Sequence, residues 1–125
     1  PRRRGRTERR TAATRAAPSR YPIIVRFCPW YPLAEAEAHA PAGEGVLQLR
    51  LAEGLLDYPR GKSAMIHYEH APDVRAAASR LARHHAGRGV LCRHLEPGDE
   101  PPAMVHARVL GEFVRRFGAS PAWAP

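Results

Sequence analysis

The sequence of this 125-residue chain has no asparagine, one lysine and only two cysteines. Because arginine supplies nineteen of the twenty basic residues, the composition as a whole favours arginine, and one arginine alone is a weak sign of function. Two cysteines do not predict a disulfide framework. No apolar run approaches the roughly 20 residues that a membrane-spanning helix requires, so the sequence predicts no membrane partner.

Acidic residues are nearly absent from the first twenty positions, where Glu8 stands against eight arginines and the net charge is +7. The rest of the chain holds twelve basic and eleven acidic side chains and is almost neutral. A segment so basic and so poor in apolar residues cannot bury enough surface to offset the entropy of ordering, so we predict that residues 1–20 form a disordered tail that binds nucleic acid. The arginines of this tail are Arg2, Arg3, Arg4, Arg6, Arg9, Arg10, Arg15 and Arg20. A solubility tail and an organelle transit peptide are the alternatives, although the segment lacks the amphipathic apolar face of the latter.

The region from 21 to 44 is rich in proline, alanine and glycine. Pro29 and Pro32 interrupt a β-branched and aromatic run, which predicts one edge strand or an extended segment over the core. The stretch AEAEAHAPAGEG that follows predicts a polar connection with one helical turn. We therefore expect residues 21–44 to form an extended, proline-rich wrap.

Three stretches after residue 44 have the pattern of β-strands. Leucines at every second position predict a strand over residues 46–52. The stretch DYPRGKS carries a proline and a glycine, which predicts a turn before a second, antiparallel strand over residues 64–69. The stretch GVLCRHLE predicts a third strand over residues 89–96.

Two stretches have apolar residues at helical spacing. The first covers residues 72–86, with Pro72 in its first turn. The second has Asp99 as its predicted N-cap and Gly118 at its C-terminal end. Its predicted apolar stripe is Met104, Ala107, Leu110, Phe113, Val114 and Phe117. The order β-β-α-β-α predicts an α+β fold, in which both helices pack on one side of a small three-stranded antiparallel sheet.

Four local patterns in this region occur in the order and spacing of a known family. The stretch GVL begins the first strand, MIHYEHAPDVR spans the second strand and the start of the first helix, Glu112 lies on the last helix, and RRFGASPAWAP ends the chain. On these residues the chain resembles the GIY-YIG nuclease superfamily. We therefore expect a GIY-YIG-like domain over residues 45–125.

The resemblance implies a site that hydrolyses phosphodiesters with Mg²⁺ or Mn²⁺. In such a site Glu112 would bind the metal, Arg75 would bind the scissile phosphate, and His67 stands where the family has its second tyrosine. The family's first tyrosine is replaced by Leu47, which has no proton to exchange, and the loss of one proton-transfer group costs about 10²–10⁴-fold in rate. The glycine of the second motif is replaced by Glu69. We therefore interpret the site as the remnant of an active site that needs no cofactor.

The predicted function is non-catalytic binding of nucleic acid, with structured RNA favoured over DNA and a ribosome-like assembly as the host. Arg60, Lys62, Arg75 and Arg80 are expected to contact phosphates together with the tail. We expect the protein in the cytoplasm, beside the ribosome or the nucleoid, rather than in an organelle matrix. Two alternatives are a divergent metal-dependent endonuclease that cuts structured DNA and a protein–protein adaptor whose tail docks on an acidic partner.

The same residues also have purely structural interpretations. Arg75, Arg80 and Arg83 would form a solvated helix face, and Glu112 would pair with an arginine four residues away on its own helix. A zinc set built from Cys28, Cys92, His94 and one of His67 or His70 is a further alternative. No CxxC or HxxxH spacing supports it, so we expect buried neutral thiols instead.

Overall fold

The computed structural model describes residues 25–123, so the tail of residues 1–20 lies outside the described residues. The strands are β1 (Tyr31–Pro32), β2 (Gly45–Leu51), β3 (Leu56–Tyr58), β4 (Gly61–Ser63), β5 (Met65–Ala71) and β6 (Val90–His94). The helices are α1 (Ala36–His39), α2 (Val74–His84) and α3 (Pro102–Phe117), and a 3-10 turn covers Leu33–Glu35. None of the helices between residues 25 and 123 is long and apolar enough to cross a membrane.

The main sheet is antiparallel and has the order β1–β6–β2–β5, with β2 and β6 inside it. The α+β class is therefore confirmed, but the sheet has four strands instead of the predicted three. The additional strand is β1, in which Tyr31 pairs with Cys92 of β6. An isolated bridge between Phe27 and Leu95 brings the preceding segment to the same edge. Pro32 cannot donate a backbone hydrogen bond, which suits it to the short edge strand.

One face of the sheet is covered by α2. Leu47, Leu49 and Leu51 point to this face, because side chains alternate between the two faces along a strand. They form one buried cluster with Val74 and Leu81 of α2. Burial of this apolar surface is the main source of the fold's stability.

The segment before β2 belongs to this core and is more than an extended wrap over it. After β1 the chain forms the 3-10 turn and α1, whose residues Leu33, Ala36 and Ala40 are at most 3% exposed. They pack in the same cluster as the leucines of β2. The predicted boundary at residue 45 therefore does not coincide with a boundary of the packed core.

The long helix α3 lies on the opposite face, so the expectation that both helices pack on one side is wrong. Phe113 of α3 makes an edge contact with Tyr68 of β5, with the ring centroids 5.6 Å apart. Tyr68 pairs with Gln48 of β2. Gln48 alternates with the leucines that face α2, so Gln48 and Tyr68 both point to the opposite face of the sheet. Val105 and Phe113 are buried, whereas Met104, a member of the predicted stripe, is 59% exposed.

Both long helices begin at a different residue from the one predicted. In α2 the N-cap is Asp73, whose carboxylate accepts a hydrogen bond from the backbone N–H of Ala76 at 3.2 Å. Pro72 therefore precedes the helix instead of lying in its first turn. In α3 the N-cap is Pro101, without a side-chain cap, and Asp99 lies outside the helix.

Two glycines are required by the backbone around them. A Cβ on Gly45 would lie 2.8 Å from a methyl group of Val74, so the start of β2 can approach α2 only without a side chain. Gly118 ends α3 in the left-handed conformation, with a φ of 86°, as the sequence predicted.

The predicted turn between the first two strands is a small hairpin of its own, in which β3 pairs with β4. Its Tyr58 ring packs edge-on against Phe113 of α3 at 5.1 Å. The Tyr58 hydroxyl donates to the carbonyl of Met65 at 2.6 Å. The hairpin thus closes over the end of α3.

Candidate nucleic-acid interface

The three residues that the family resemblance assigns to catalysis lie in three different places. His67 lies on β5 and faces α2, since it pairs with Leu49 of the α2 face. Arg75 lies at the start of α2, where its Nε donates to the carbonyl of Ala40 at 2.8 Å. Glu112 is exposed on α3, across the sheet. The structure therefore does not assemble His67, Arg75 and Glu112 into one site.

His67 takes part in a chain of charged groups between β5 and α2. Its Nε2 donates to Oε1 of Glu69 at 2.8 Å, and the other oxygen of Glu69 accepts from Nη2 of Arg80 at 2.5 Å. Burial raises the pKa of Glu69, but the hydrogen bonds from His67 and Arg80 outweigh it and hold the pKa below its ordinary value. Glu69 is therefore a carboxylate that ties the strand to the helix and keeps the proton of His67 on Nε2.

A cleft of about 460 Å³ lies beside this network, between β5, the C-terminal half of α2 and residues 121–123. His85 is 6% exposed and stacks on Trp123, with the ring centroids 5.7 Å apart. Its Nδ1 has no hydrogen-bond partner among the described residues. Burial lowers the pKa of His85, which favours the neutral ring. The described lining contains three histidines and Arg80 but no hydroxyl, thiol or carboxylate, so it supplies imidazole groups for proton transfer but no serine, threonine or cysteine nucleophile.

Among residues 25–123, no group of three or more His, Cys, Asp and Glu side chains is placed to hold a metal ion. Cys28, Cys92 and His94 do lie together near β1, where Sγ of Cys28 is 3.4 Å from Nδ1 of His94. The Tyr31 hydroxyl donates to the same nitrogen at 3.0 Å and accepts from the Cys92 thiol at 3.6 Å. Burial raises the pKa of Cys92 to about 11, so the thiol is protonated. The cluster is a hydrogen-bonded part of the sheet, and the histidines of β5 lie at the opposite edge.

Each of the four basic residues predicted to bind phosphate makes a contact within the protein. Arg60 donates from Nη2 to the carbonyl oxygens of Arg115 and Val114 in the last turn of α3, at 2.7 and 3.3 Å. The Val114 oxygen also accepts from the N–H of Gly118, so Arg115 is the one whose oxygen the helix leaves unpaired and Arg60 satisfies. Lys62 pairs with Asp57 across the hairpin at 2.5 Å. Arg75 and Arg80 make the contacts described above. All four therefore have structural roles, and their contact with nucleic acid stays a prediction.

Two arginines that were not predicted from the sequence lie against aromatic rings. The guanidinium carbon of Arg93, on β6, is 4.3 Å from the ring centroid of Trp30 and 4.9 Å from that of Phe27. The guanidinium carbon of Arg50, on β2, is 5.5 Å from Trp30. In the order Phe27, Arg93, Trp30, Arg50, these four side chains form what we call the arginine–aromatic ladder. Each such cation–π contact contributes about 0.5–1 kcal/mol at an exposed site.

The ladder lies on the α3 face of the sheet, beside the helix. Arg93 pairs with Gln48 in the register of β6 and β2, and its Nε donates to Oε1 of Gln48 at 2.8 Å. Gln48 belongs to the α3 face, whereas α3 itself packs on β2 and β5. All four side chains of the ladder are partly exposed. Within residues 25–123, the β6 half of this face is therefore only partly covered.

The ladder concentrates positive charge without an acidic neighbour. Neither Arg50 nor Arg93 forms an ion pair with a carboxylate of the described residues. Burial lowers the pKa of Arg93, and the charge of Arg50 acts in the same direction. Two like charges beside one indole repel each other, and an anion close to both guanidinium groups offsets this repulsion. The arrangement can therefore bind an anionic group next to an aromatic ring.

Strand alternation is the sequence signal that points to these residues. Gln48 and Arg50 alternate with the buried leucines of β2, and Arg93 alternates with Cys92 and His94. This alternation places all three polar residues away from the α2 face. The pairing that brings β6 beside β2 and Trp30 beside Arg93 is a tertiary feature, which no local pattern contains.

Comparison of the chain with protein-family models, with curated proteins and with solved structures finds no match. The resemblance to the GIY-YIG superfamily therefore stays a prediction from four local patterns. The eight tail arginines, which carry most of the net charge, lie outside the described residues.

Proposed function

We propose that this protein binds nucleic acid without cutting it, and that its partner is structured RNA. The observation that carries the proposal is the arginine–aromatic ladder, in which two arginines without an acidic partner among residues 25–123 lie beside one indole ring. Guanidinium groups bind phosphates, and aromatic rings stack on bases, so the ladder offers both kinds of contact in one place.

The basic tail supports the same function. Phe27, at one end of the ladder, follows the last tail arginine, Arg20, by seven residues. Because an extended chain spans at most about 3.6 Å per residue, Arg20 is within roughly 25 Å of the ladder. One RNA molecule can therefore contact the tail and the ladder together. A large ribonucleoprotein assembly in the cytoplasm, such as a ribosome, is the host that we propose.

A binding role without catalysis is supported by the separation of the residues assigned to catalysis. Glu112 lies across the sheet from His67, and Arg75 is held by the carbonyl of Ala40. The cleft at His67 is lined, within the described residues, by imidazole, arginine and apolar groups. These observations favour a module that holds nucleic acid over one that hydrolyses it.

Fluorescence anisotropy with a labelled RNA hairpin tests the proposal. If the tail neutralises about seven phosphates, the slope of log affinity against log salt is roughly −5 to −6. We expect deletion of residues 1–20 to flatten the slope and to weaken binding by more than roughly 100-fold at about 0.15 M salt. The melting temperature should not change, because the buried cluster is formed by residues 31–92.

The double variant Arg83→Gln/Arg115→Gln is the control, since it removes two exposed arginines that are not part of the ladder. It should bind RNA as tightly as the unaltered chain. The proposal fails if the chain without its tail binds as tightly as the full chain, or if neither binds. Cleavage of DNA junctions with Mg²⁺ or Mn²⁺ that Glu112→Ala abolishes would favour an endonuclease instead. Purification without nucleic acid in low salt, together with binding to an acidic protein, would favour an adaptor.

A further inference from the structure

We infer that the arginine–aromatic ladder holds an unpaired base, so that the RNA bound at this face is a loop, a bulge or a single-stranded end. This inference rests on the proposed nucleic-acid binding and names the part of the nucleic acid that the ladder takes. It is carried by the short distances between guanidinium groups and rings, by the hydrogen bonds of the two Nε atoms and by the partial exposure of the two rings.

The ladder is a row of planar groups. Successive separations between guanidinium carbon and ring centroid are 4.9, 4.3 and 5.5 Å along Phe27, Arg93, Trp30 and Arg50. A nucleobase is also planar, and it can stack on the partly exposed rings of Trp30 and Phe27. Aromatic rings and arginine planes are the groups on which proteins stack unpaired bases.

The two guanidinium groups are oriented in a way that leaves donors for phosphate. Nε of Arg93 donates to Gln48 at 2.8 Å, and Nε of Arg50 donates to the carbonyl of Leu51 at 3.2 Å. Within residues 25–123 the terminal nitrogens of both arginines make no hydrogen bond, so they are left for a partner. Guanidinium nitrogens held in this way match the oxygens of a phosphate.

The exposed rings distinguish an unpaired strand from a duplex. Inside a duplex both faces of each base are covered by the neighbouring pairs, so a duplex offers the ladder phosphates, sugar hydroxyls and base edges but no free base face. Arginine alone suffices for phosphates, whereas Trp30 and Phe27 add partly exposed aromatic surface that only a base face covers. A single strand therefore uses all four members of the ladder, and a duplex uses two.

Trp30 fluorescence reports on the predicted contact. The chain has two tryptophans, so Trp123→Phe in the full chain leaves Trp30 as the only one. This variant is titrated with an oligoadenylate RNA of about 12 nucleotides, with a blunt RNA duplex of the same length and with polyglutamate. We expect the single strand to quench Trp30 and to bind roughly 10-fold more tightly than the duplex at the same salt concentration.

Two substitutions at Trp30 separate stacking from folding. Trp30→Leu should weaken single-strand binding by roughly 10-fold and leave duplex binding within about twofold, because one stacking ring is lost. Trp30→Phe keeps a ring and should retain most of the preference for the single strand. Melting temperatures of both variants show whether the fold is intact.

Three results would overturn the inference and leave nucleic-acid binding standing. These are equal affinity for strand and duplex, RNA binding with no change in Trp30 fluorescence, and loss of the single-strand preference in a folded Trp30→Phe variant. Quenching by polyglutamate equal to that by RNA would also contradict it, since charge alone would then explain the response. No binding of any RNA would overturn both the inference and the proposed function.

Discussion

The two faces of the sheet differ in what their arginines contact. On the α2 face, Arg75 donates from Nε to a backbone carbonyl, and Arg80 pairs with the carboxylate of Glu69. On the α3 face, Arg50 and Arg93 bind protein oxygens only through Nε and lie beside rings with no acid of the described residues. The guanidinium groups therefore have a carbonyl or a carboxylate beside them on the first face and aromatic rings on the second. The cleft beside His67 also opens on the first face.

This difference distinguishes the arginines that we propose to bind RNA from those with contacts inside the protein. Composition alone does not distinguish a functional arginine from any other, because arginine supplies nineteen of the twenty basic residues. What separates Arg50 and Arg93 from Arg75 and Arg80 is the aromatic ring beside each guanidinium group, which is a matter of tertiary structure.

The largest expected effect is in the core of the α2 face. Leu49 is fully buried under α2, so Leu49→Ala should lower the free energy of unfolding by about 2–5 kcal/mol. Urea denaturation measures this loss. The control Leu55→Ala alters a leucine that is 60% exposed and should stay within about 0.5 kcal/mol. Similar losses in both variants would contradict the packing described for this face.

The next effect compares double substitutions of arginines on the two faces, one expected to change RNA binding and the other to change stability. Arg50→Gln/Arg93→Gln should weaken RNA binding by roughly 10-fold and flatten the salt slope by about 2, because two phosphate contacts are lost. Arg75→Gln/Arg80→Gln removes the same charge but should change the melting temperature more than the affinity. Anisotropy titrations and thermal melts of both double variants provide the measurement. The comparison of faces fails if the second pair weakens binding as much as the first.

A smaller effect is expected at the end of α3. Arg60 satisfies the terminal carbonyl of Arg115, so Arg60→Ala should lower the free energy of unfolding by about 1 kcal/mol. The neighbouring Lys62→Ala breaks only an exposed ion pair and should cost less than about 0.5 kcal/mol. Denaturation midpoints of the two variants give the difference. Equal midpoints would show that Arg60 does not stabilise the helix end.

The smallest effect is a pH dependence that comes from Glu69. Since its pKa in the folded protein lies below its ordinary value of 4.5, the ionised carboxylate stabilises the fold above that pH, and this contribution is lost as the pH falls through the lower folded-state pKa. Below about pH 4.5, the stability of the unaltered chain should therefore fall more steeply than that of Glu69→Gln. Urea denaturation at a series of acidic pH values measures the slopes. Glu112→Gln, at an exposed position, is the control, and its stability should depend on pH as that of the unaltered chain does. If the stability of Glu69→Gln falls as steeply as that of the unaltered chain, Glu69 is not the source of the pH dependence.

The strand and helix patterns predicted most of the fold because they are local. The alternating leucines of β2 and the helical spacing of α2 each indicate which side chains are buried. The side of the sheet on which a helix packs is not in its periodicity, so α3 was placed on the wrong face. The sequence does not decide whether β1 is an edge strand or an extended segment, because Pro29 and Pro32 shorten the strand pattern. The partner of β1, strand β6, also lies far along the chain.

The candidate site was less predictable than the fold. His67, Glu69 and Arg80 are close in the sequence, and the structure brings them together as one hydrogen-bonded chain. The ladder joins Trp30 to Arg93, and their contact depends on the pairing of β1 with β6. Local sequence patterns therefore indicate the residues of the internal ion pairs. They do not indicate the arginines beside aromatic rings, because those contacts depend on strand pairing between distant parts of the chain.

Photocrosslinking of a 4-thiouridine-labelled RNA hairpin to the full chain, followed by mass spectrometry of the digested protein, tests the central claim most directly. The account predicts crosslinked peptides from residues 26–32 and 91–95, beside those from the tail. Crosslinks confined to α2 and to the hairpin of β3 and β4, with none on the two ladder segments, would contradict it.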